Sequence, residues 1–196
     1  DLITANIYML KRGMKTAELA DYASQLPDGS FCNKNDVIKL DDGRMLLTFI
    51  GARSAEDPTQ VLYYAYHDGM AWGQPQIVSD DGTFDSTPSM LKVGDKVVIS
   101  WADAKRTFTE EDTAKTKLQS LEIAYAVLNT KTGTMGEEIV FTDDTFFNVA
   151  PRLSLADNKV YCSYMKRDIE AVTKEDDLLN FEGLYSTMAF VSYDLA

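Results

Sequence analysis

The chain has 196 residues, 31 acidic against 19 basic, and a formal net charge of -12. That balance argues against sequence-independent binding to nucleic acid or insertion at an anionic membrane surface, both of which favour basic faces. No run of 18 apolar residues offers a helical membrane span, and with one histidine, His67, no site can be built on two.

Beginning at Asp1, the sequence reads as a mature, trimmed or excised chain. Residues 7–14, "IYMLKRGM", echo residues 63–70, "YYAYHDGM". Residues 1–27 are therefore expected to supply the third and fourth strands of a preceding sheet. Within them "KTAELADYASQL" (15–26) is helix-like in composition but falls in register with a strand, and both readings stand.

Residues 28–79 form the first full unit. Asp28-Gly29-Ser30-Phe31 matches Asp81-Gly82-Thr83-Phe84, and Val37-Ile38-Lys39-Leu40 matches Met90-Leu91-Lys92-Val93. Residues 80–142 form the second unit, with strands "PSMLKV", "KVVISWA", "SLEIAYAV" and "EEIVFT". Residues 143–196 form a third, truncated unit. Laying 72–101 on 135–164 needs no gap: Asp80 falls on Asp143, Asp81 on Asp144, Phe84 on Phe147, Pro88 on Pro151 and Ser100 on Ser163. The equivalent turns Asp41-Asp42-Gly43, Gly94-Asp95 and Asp157-Asn158 use residues that tolerate the positive φ of tight hairpins.

The second strands, Met45-Leu46-Leu47 and Val97-Val98-Ile99, are continuously apolar, as suits strands buried on both faces between stacked sheets. Four-stranded antiparallel sheets with that burial, recurring along the chain, are the blades of a β-propeller. The expected fold is all-β: an incomplete arc of about three and a quarter blades, where closed rings use roughly four to eight. It would be completed by more of the same polypeptide or by another chain. Cys32 and Cys162 have neither CxxC nor zinc spacing; they fall in different units, and whether they are joined is open.

Propeller connectivity puts the loops between second and third strands on the same face as the crossings between blades. Those loops are long here: 52–60, 103–119 and 166–186. Each opens with basic residues, Arg53, Lys105 with Arg106, and Lys166 with Arg167, while Arg152 follows the crossing proline. Recurrent cations at the mouth could clamp a carboxylate or sulfate. The plainer expectation pairs them with Asp103, Asp168 and Glu170. Phe108, Phe181 and Tyr185 are the loop aromatics best placed to meet a ligand, whereas Tyr63, Tyr64, Tyr66, Trp72 and Tyr125 are expected to pack blades. The repeated acids Asp80, Asp81, Asp85, Asp143 and Asp144 are weak calcium candidates, with turn chemistry the simpler role.

The stretch "YAYHDGMAWGQPQIV" (64–78) resembles the Asp-box hairpin of sialidase-like propellers in Asp68, Gly69 and Trp72. Tyr66 and Ala71 stand where that pattern has Ser and Thr, and one residue is missing. The crossing-plus-strand pattern is also similar to propeller segments of large secreted bacterial surface proteins. The resemblance implies an extracellular or surface-attached propeller. No Arg-Ile-Pro motif is present, so no catalytic residue carries over. The expected function is therefore non-catalytic binding or adhesion, with a glycan or a host or cell-surface protein as partner and no cofactor. The alternatives are a fragment of a sialidase-like glycoside hydrolase and a structural spacer or assembly module.

Overall fold

The computed structural model describes residues 8–9, 18–19, 33–178 and 186–194. Cys32, Phe181, Tyr185 and most of 15–26 lie outside them. At the N-terminal end Tyr8–Met9 (β1) pairs antiparallel with Glu18–Leu19 (β2), so the strand reading of 15–26 holds at those two residues.

Three antiparallel sheets follow. The first takes Asn33–Lys39 (β3), Met45–Ala52 (β4), Gln60–His67 (β5) and Gln76–Ile77 (β6) in sequential order. The second takes Asp85–Val93 (β7), Lys96–Ala104 (β8) and Leu121–Asn129 (β9). Its outer edge is shared by two short segments, Thr134–Met135 (β10) and Ile139–Val140 (β11), both paired with β9. The third takes Phe147–Ala156 (β12), Lys159–Arg167 (β13) and Ser186–Asp194 (β14). The architecture is an arc of a β-propeller.

Side-chain alternation explains the unbroken apolar runs. Leu46 and Ile50 of β4 face the second sheet, packing with Val97, Ile99, Trp101, Ala124 and Leu128, while Leu47 and Phe49 point the other way with Val61 and Tyr63. In β8 the odd-numbered Val97, Ile99 and Trp101 join the first core; Val98 and Ala102 meet the third sheet through Val160, Cys162 and Tyr164. A strand between two sheets has no wet face, so apolar residues are favoured at both parities. Aromatics of the repeated strands pack inside this scheme: Tyr63 stacks on Phe49 at 5.4 Å and Tyr125 on Phe141 at 4.4 Å. Cys162 is a buried free thiol.

The hairpin residues behave as their types require. Asp157 and Asn158 both take positive φ, +47° and +61°, and Gly43 and Gly94 take +91° and +59°. The innermost strands carry a shared irregularity: the register of β7 shifts between Ser86 and Ser89, and that of β12 between Val149 and Arg152. At those bulges Thr87 and Ala150 adopt φ of +50° and +57°, and Ala150 N–H donates to Thr87 Oγ1 at 3.2 Å. Two equivalent positions of adjacent sheets thus touch each other, as a rotational repeat about an axis demands.

Two elements in the long loops differ from the sequence expectation. Loop 103–119 contains a short helix, Ala114–Gln119 (α1), whose N-cap Thr113 accepts from Thr116 N–H. Loop 166–186 contains a 3-10 turn at Glu175–Asp177. Neither has an apolar helical period long enough to be read from sequence.

Candidate functional site

The crossings between sheets and the far ends of the second strands share one edge of the arc, since Asp85 pairs with Asp103 and Phe147 with Arg167. The recurrent cations and recurrent acids meet there. Arg53 forms an ion pair with Asp80 and approaches Asp57 at 3.5 Å. One sheet later Lys105 Nζ lies 2.9 Å from Asp143 and 2.7 Å from the buried Glu122. Arg53 and Lys105 each follow the last residue of a second strand, and Asp80 and Asp143 are equivalent in the repeat. An equivalent ion pair therefore fastens each of the first two sheets to the crossing that leaves it.

The other candidate cations are also engaged. Arg106 forms a two-point pair with Asp112 inside its own loop. Lys166 Nζ sits 2.6 Å from Asp144 and 4.3 Å from the Phe146 ring centroid. Arg167 turns inward: it is 1 % exposed and donates to the carbonyls of Leu178 and Asp177 at 2.7 and 3.1 Å. Arg152 donates to the carbonyl of Pro151 at 2.9 Å. The expected partners are different from those found, because Asp103 is buried beside Thr83, Asp168 accepts from Glu170 N–H, and Glu170 lies 4.0 Å from Lys115.

Two of the repeated acids, Asp81 and Asp144, do turn chemistry. Asp81 Oδ1 accepts from Thr83 N–H at 2.9 Å, and its equivalent Asp144 accepts from Phe146 N–H at 2.9 Å. Asp85, 2 % exposed, accepts from Leu62 N–H of the first sheet at 2.7 Å. Its equivalent Asn148 donates instead to Glu122 and Asp144.

The two junctions differ again where the second strands end. Position 166 holds a lysine that neutralises Asp144, and the equivalent position 103 holds an aspartate. Thr83 Oγ1 lies 2.7 Å from both Asp81 Oδ1 and Asp103 Oδ1. A hydroxyl has one hydrogen and cannot donate to both. A proton on Asp103 resolves this, letting Thr83 accept from Asp103 and donate to Asp81. Burial pushes the Asp103 carboxyl up to about 7, with Glu138 and Asp81 adding repulsion. Burial, then Asp103, hold Asp85 well above the usual carboxylate range, and burial raises Glu138. At the second junction burial opposes ionisation of Asp144, but Lys166, Asn148 and Phe146 N–H together bring it below its ordinary value. Asp81, Asp103 and Glu138 offer carboxylate oxygens within 4.8 Å of one another, the donor set among the described residues with the spacing of a cation site.

A cavity of about 370 Å³ opens where the loops of the first and second sheets converge. Pro58, Thr59 and Gln60 form one wall, Gly82 and Phe84 of the crossing another, and Thr107, Phe108 and Lys117 the third. Phe84 and Phe108 sit 5.8 Å apart with planes inclined by 36°. Behind them Ala104, Leu121, Phe147 and Ile169 form a small core. Phe108 was legible as a loop aromatic; Lys117, on α1, was not.

No family model matches the sequence, and no curated protein matches it. Solved structures do resemble the fold. An α-L-arabinanase of Penicillium chrysogenum, complexed with arabinobiose, matches with a TM-score of 0.59 at 14% identity, over 96% of this chain and 54% of that one. An α-L-arabinofuranosidase of Fusarium graminearum gives 0.55 at 11% identity, over 95% and 53%. A Dyadobacter fermentans protein of unknown function gives 0.53 at 15% identity, over 85% and 39%. The chain thus spans about half the length, or less, of these structures, and at such identities the likeness is one of fold.

Proposed function

We propose that the chain is a non-catalytic binding segment of an extracellular or surface-attached propeller protein, recognising a glycan or protein through the face that carries its long loops. The observation that supports this most is the cavity between loops 52–60 and 103–119, lined by the aromatic pair Phe84 and Phe108 together with the polar Thr59, Gln60, Thr107 and Lys117. Rigid sheets presenting long loops are the usual setting for recognition, and a pocket mixing apolar rings with a few polar groups is the usual form of a small-ligand site. Glycoside hydrolysis by two carboxylates needs both to face the substrate. The buried acids of this region are instead turned to Leu62 N–H, Thr83, Asp144 N–H and Asn148.

Within this reading the chain has sialidase-like kinship. Asp68 Oδ1 accepts from Met70 and Ala71 N–H at 2.8 and 2.9 Å, Gly69 takes φ of +101°, and Trp72 packs edge-on against His67 at 5.0 Å. That geometry supports an Asp-box-like role for the hairpin. The same reading has the arc joined to further propeller strands of the same polypeptide or of a second chain.

The test is a glycan array followed by incubation of the bound saccharides with the protein. Retention without cleavage is the expected result. Release of reducing sugar would replace this reading with the hydrolase one, and an empty array together with no captured surface protein would favour a spacer.

A further inference from the structure

We infer that the cavity between the first two long loops is a subsite for a sugar unit bearing a carboxylate, with Phe84 and Phe108 as its apolar platform and Lys117 as its anion partner. This rests on the binding reading above and names the ligand class of that site.

The charges on this side of the arc single out Lys117. Arg53, Lys105, Arg106 and Lys166 each lie against an acid. Lys117 lines the cavity, and among the described residues no carboxylate pairs with it; its ammonium lies instead 5.6 Å from the Phe108 ring centroid. A cation over an aromatic face keeps its charge available to an incoming anion on the open side. The remaining wall groups suit a sugar. Gln60, Thr59 and Thr107 bring hydrogen-bonding side chains, and the inclined rings of Phe84 and Phe108 present apolar surface to the C–H face of a pyranose. About 370 Å³ is within the range of small-ligand pockets.

The net charge of -12 sharpens the argument. A chain so acidic repels anions at long range, which favours binding where a local cation lacks an internal acidic partner. Neutral sugars would gain the platform but not the ion pair.

Titration calorimetry with tri-galacturonate and, as the neutral arm, galactotriose tests this on the full chain. Tri-galacturonate is expected to bind at least tenfold more tightly, by about 1.4 kcal/mol, with affinity falling as salt rises. Lys117→Gln should abolish the preference. Thr107→Trp, on the exposed loop, should fill the mouth and remove both activities without touching the core. Equal affinity for the two saccharides, an unchanged preference in Lys117→Gln, or no binding of either would overturn the inference. Array binding that survives both substitutions would overturn it while leaving the broader binding function intact; an array without binding would remove both.

Discussion

Replacing Asp103 with asparagine should make the protein more stable above neutral pH and less dependent on pH. Asp103 is 4 % exposed, is pushed up to about 7 by burial, and shares Thr83 with Asp81. In the unfolded chain its carboxyl returns toward 3.8. The native state therefore holds a proton that the unfolded state has released, and stability falls with rising pH between those values. The contribution is complete below 3.8 and is lost as pH passes about 7. At 1.36 kcal/mol per pH unit, the gap is worth up to about 4 kcal/mol. Asparagine imitates the protonated acid imperfectly, and a poorer hydrogen bond costs about 1 kcal/mol. Asp103→Asn should then gain about 2–3 kcal/mol at pH 8.5 and little at pH 5. Urea unfolding followed by tryptophan fluorescence at half-unit pH steps would measure this. Parallel curves for the two proteins between pH 5 and 8.5 would refute the argument, because they would mean that Asp103 is ionised throughout.

Removing the cation that fastens the second junction should have the opposite sense. Lys105→Met leaves Glu122, 0 % exposed, without its ion-pair partner, and a loss of about 3 kcal/mol is expected in the same unfolding assay. Thr48→Val should stabilise by about 1 kcal/mol, since the buried Thr48 hydroxyl has no hydrogen-bond partner among the described residues and the replacement keeps its shape. Gly73 and Gly136, equivalent at the 63-residue offset of the repeat, should part company under thermal melting. A Cβ at Gly136 would stand 3.2 Å from the Val127 carbonyl, and Gly136→Ala should cost about 1 kcal/mol. At Gly73 the matching distance to the Tyr66 carbonyl is 3.5 Å, and Gly73→Ala should be near neutral.

The parts of the fold that were legible in the sequence are those whose cause is local. Asp157-Asn158 announces a tight hairpin because few other pairs accept two positive φ values, and the apolar runs of β4 and β8 announce two buried faces. The repeat itself carried the register. The pairing of Arg53 with Asp80 and of Lys105 with Asp143 was half visible, since each partner recurs, but nothing local says that the two recurrences meet. Lys166 and Arg167 looked like one basic signal. Strand alternation sends them to opposite faces, one to Asp144 and the other to the carbonyls of Leu178 and Asp177. Asp103 could have been noticed as the acid standing in the repeat position of a lysine. Lys117 and α1 left no trace, because a six-residue helix held by Thr113 has no apolar stripe to read.

The fastening of each sheet to the crossing beyond it sets an order in time. A chain leaving the ribosome N-terminus first presents Arg53 well before Asp80, and Lys105 well before Asp143. The first sheet can pair its strands as they emerge. It remains unlatched, with Leu46, Ile50 and Leu62 uncovered, until the second sheet begins to arrive. Growth of the arc is then a succession of open, sticky intermediates, each closed by residues still to be synthesised. A pause in translation between 53 and 80 would prolong the most vulnerable of them.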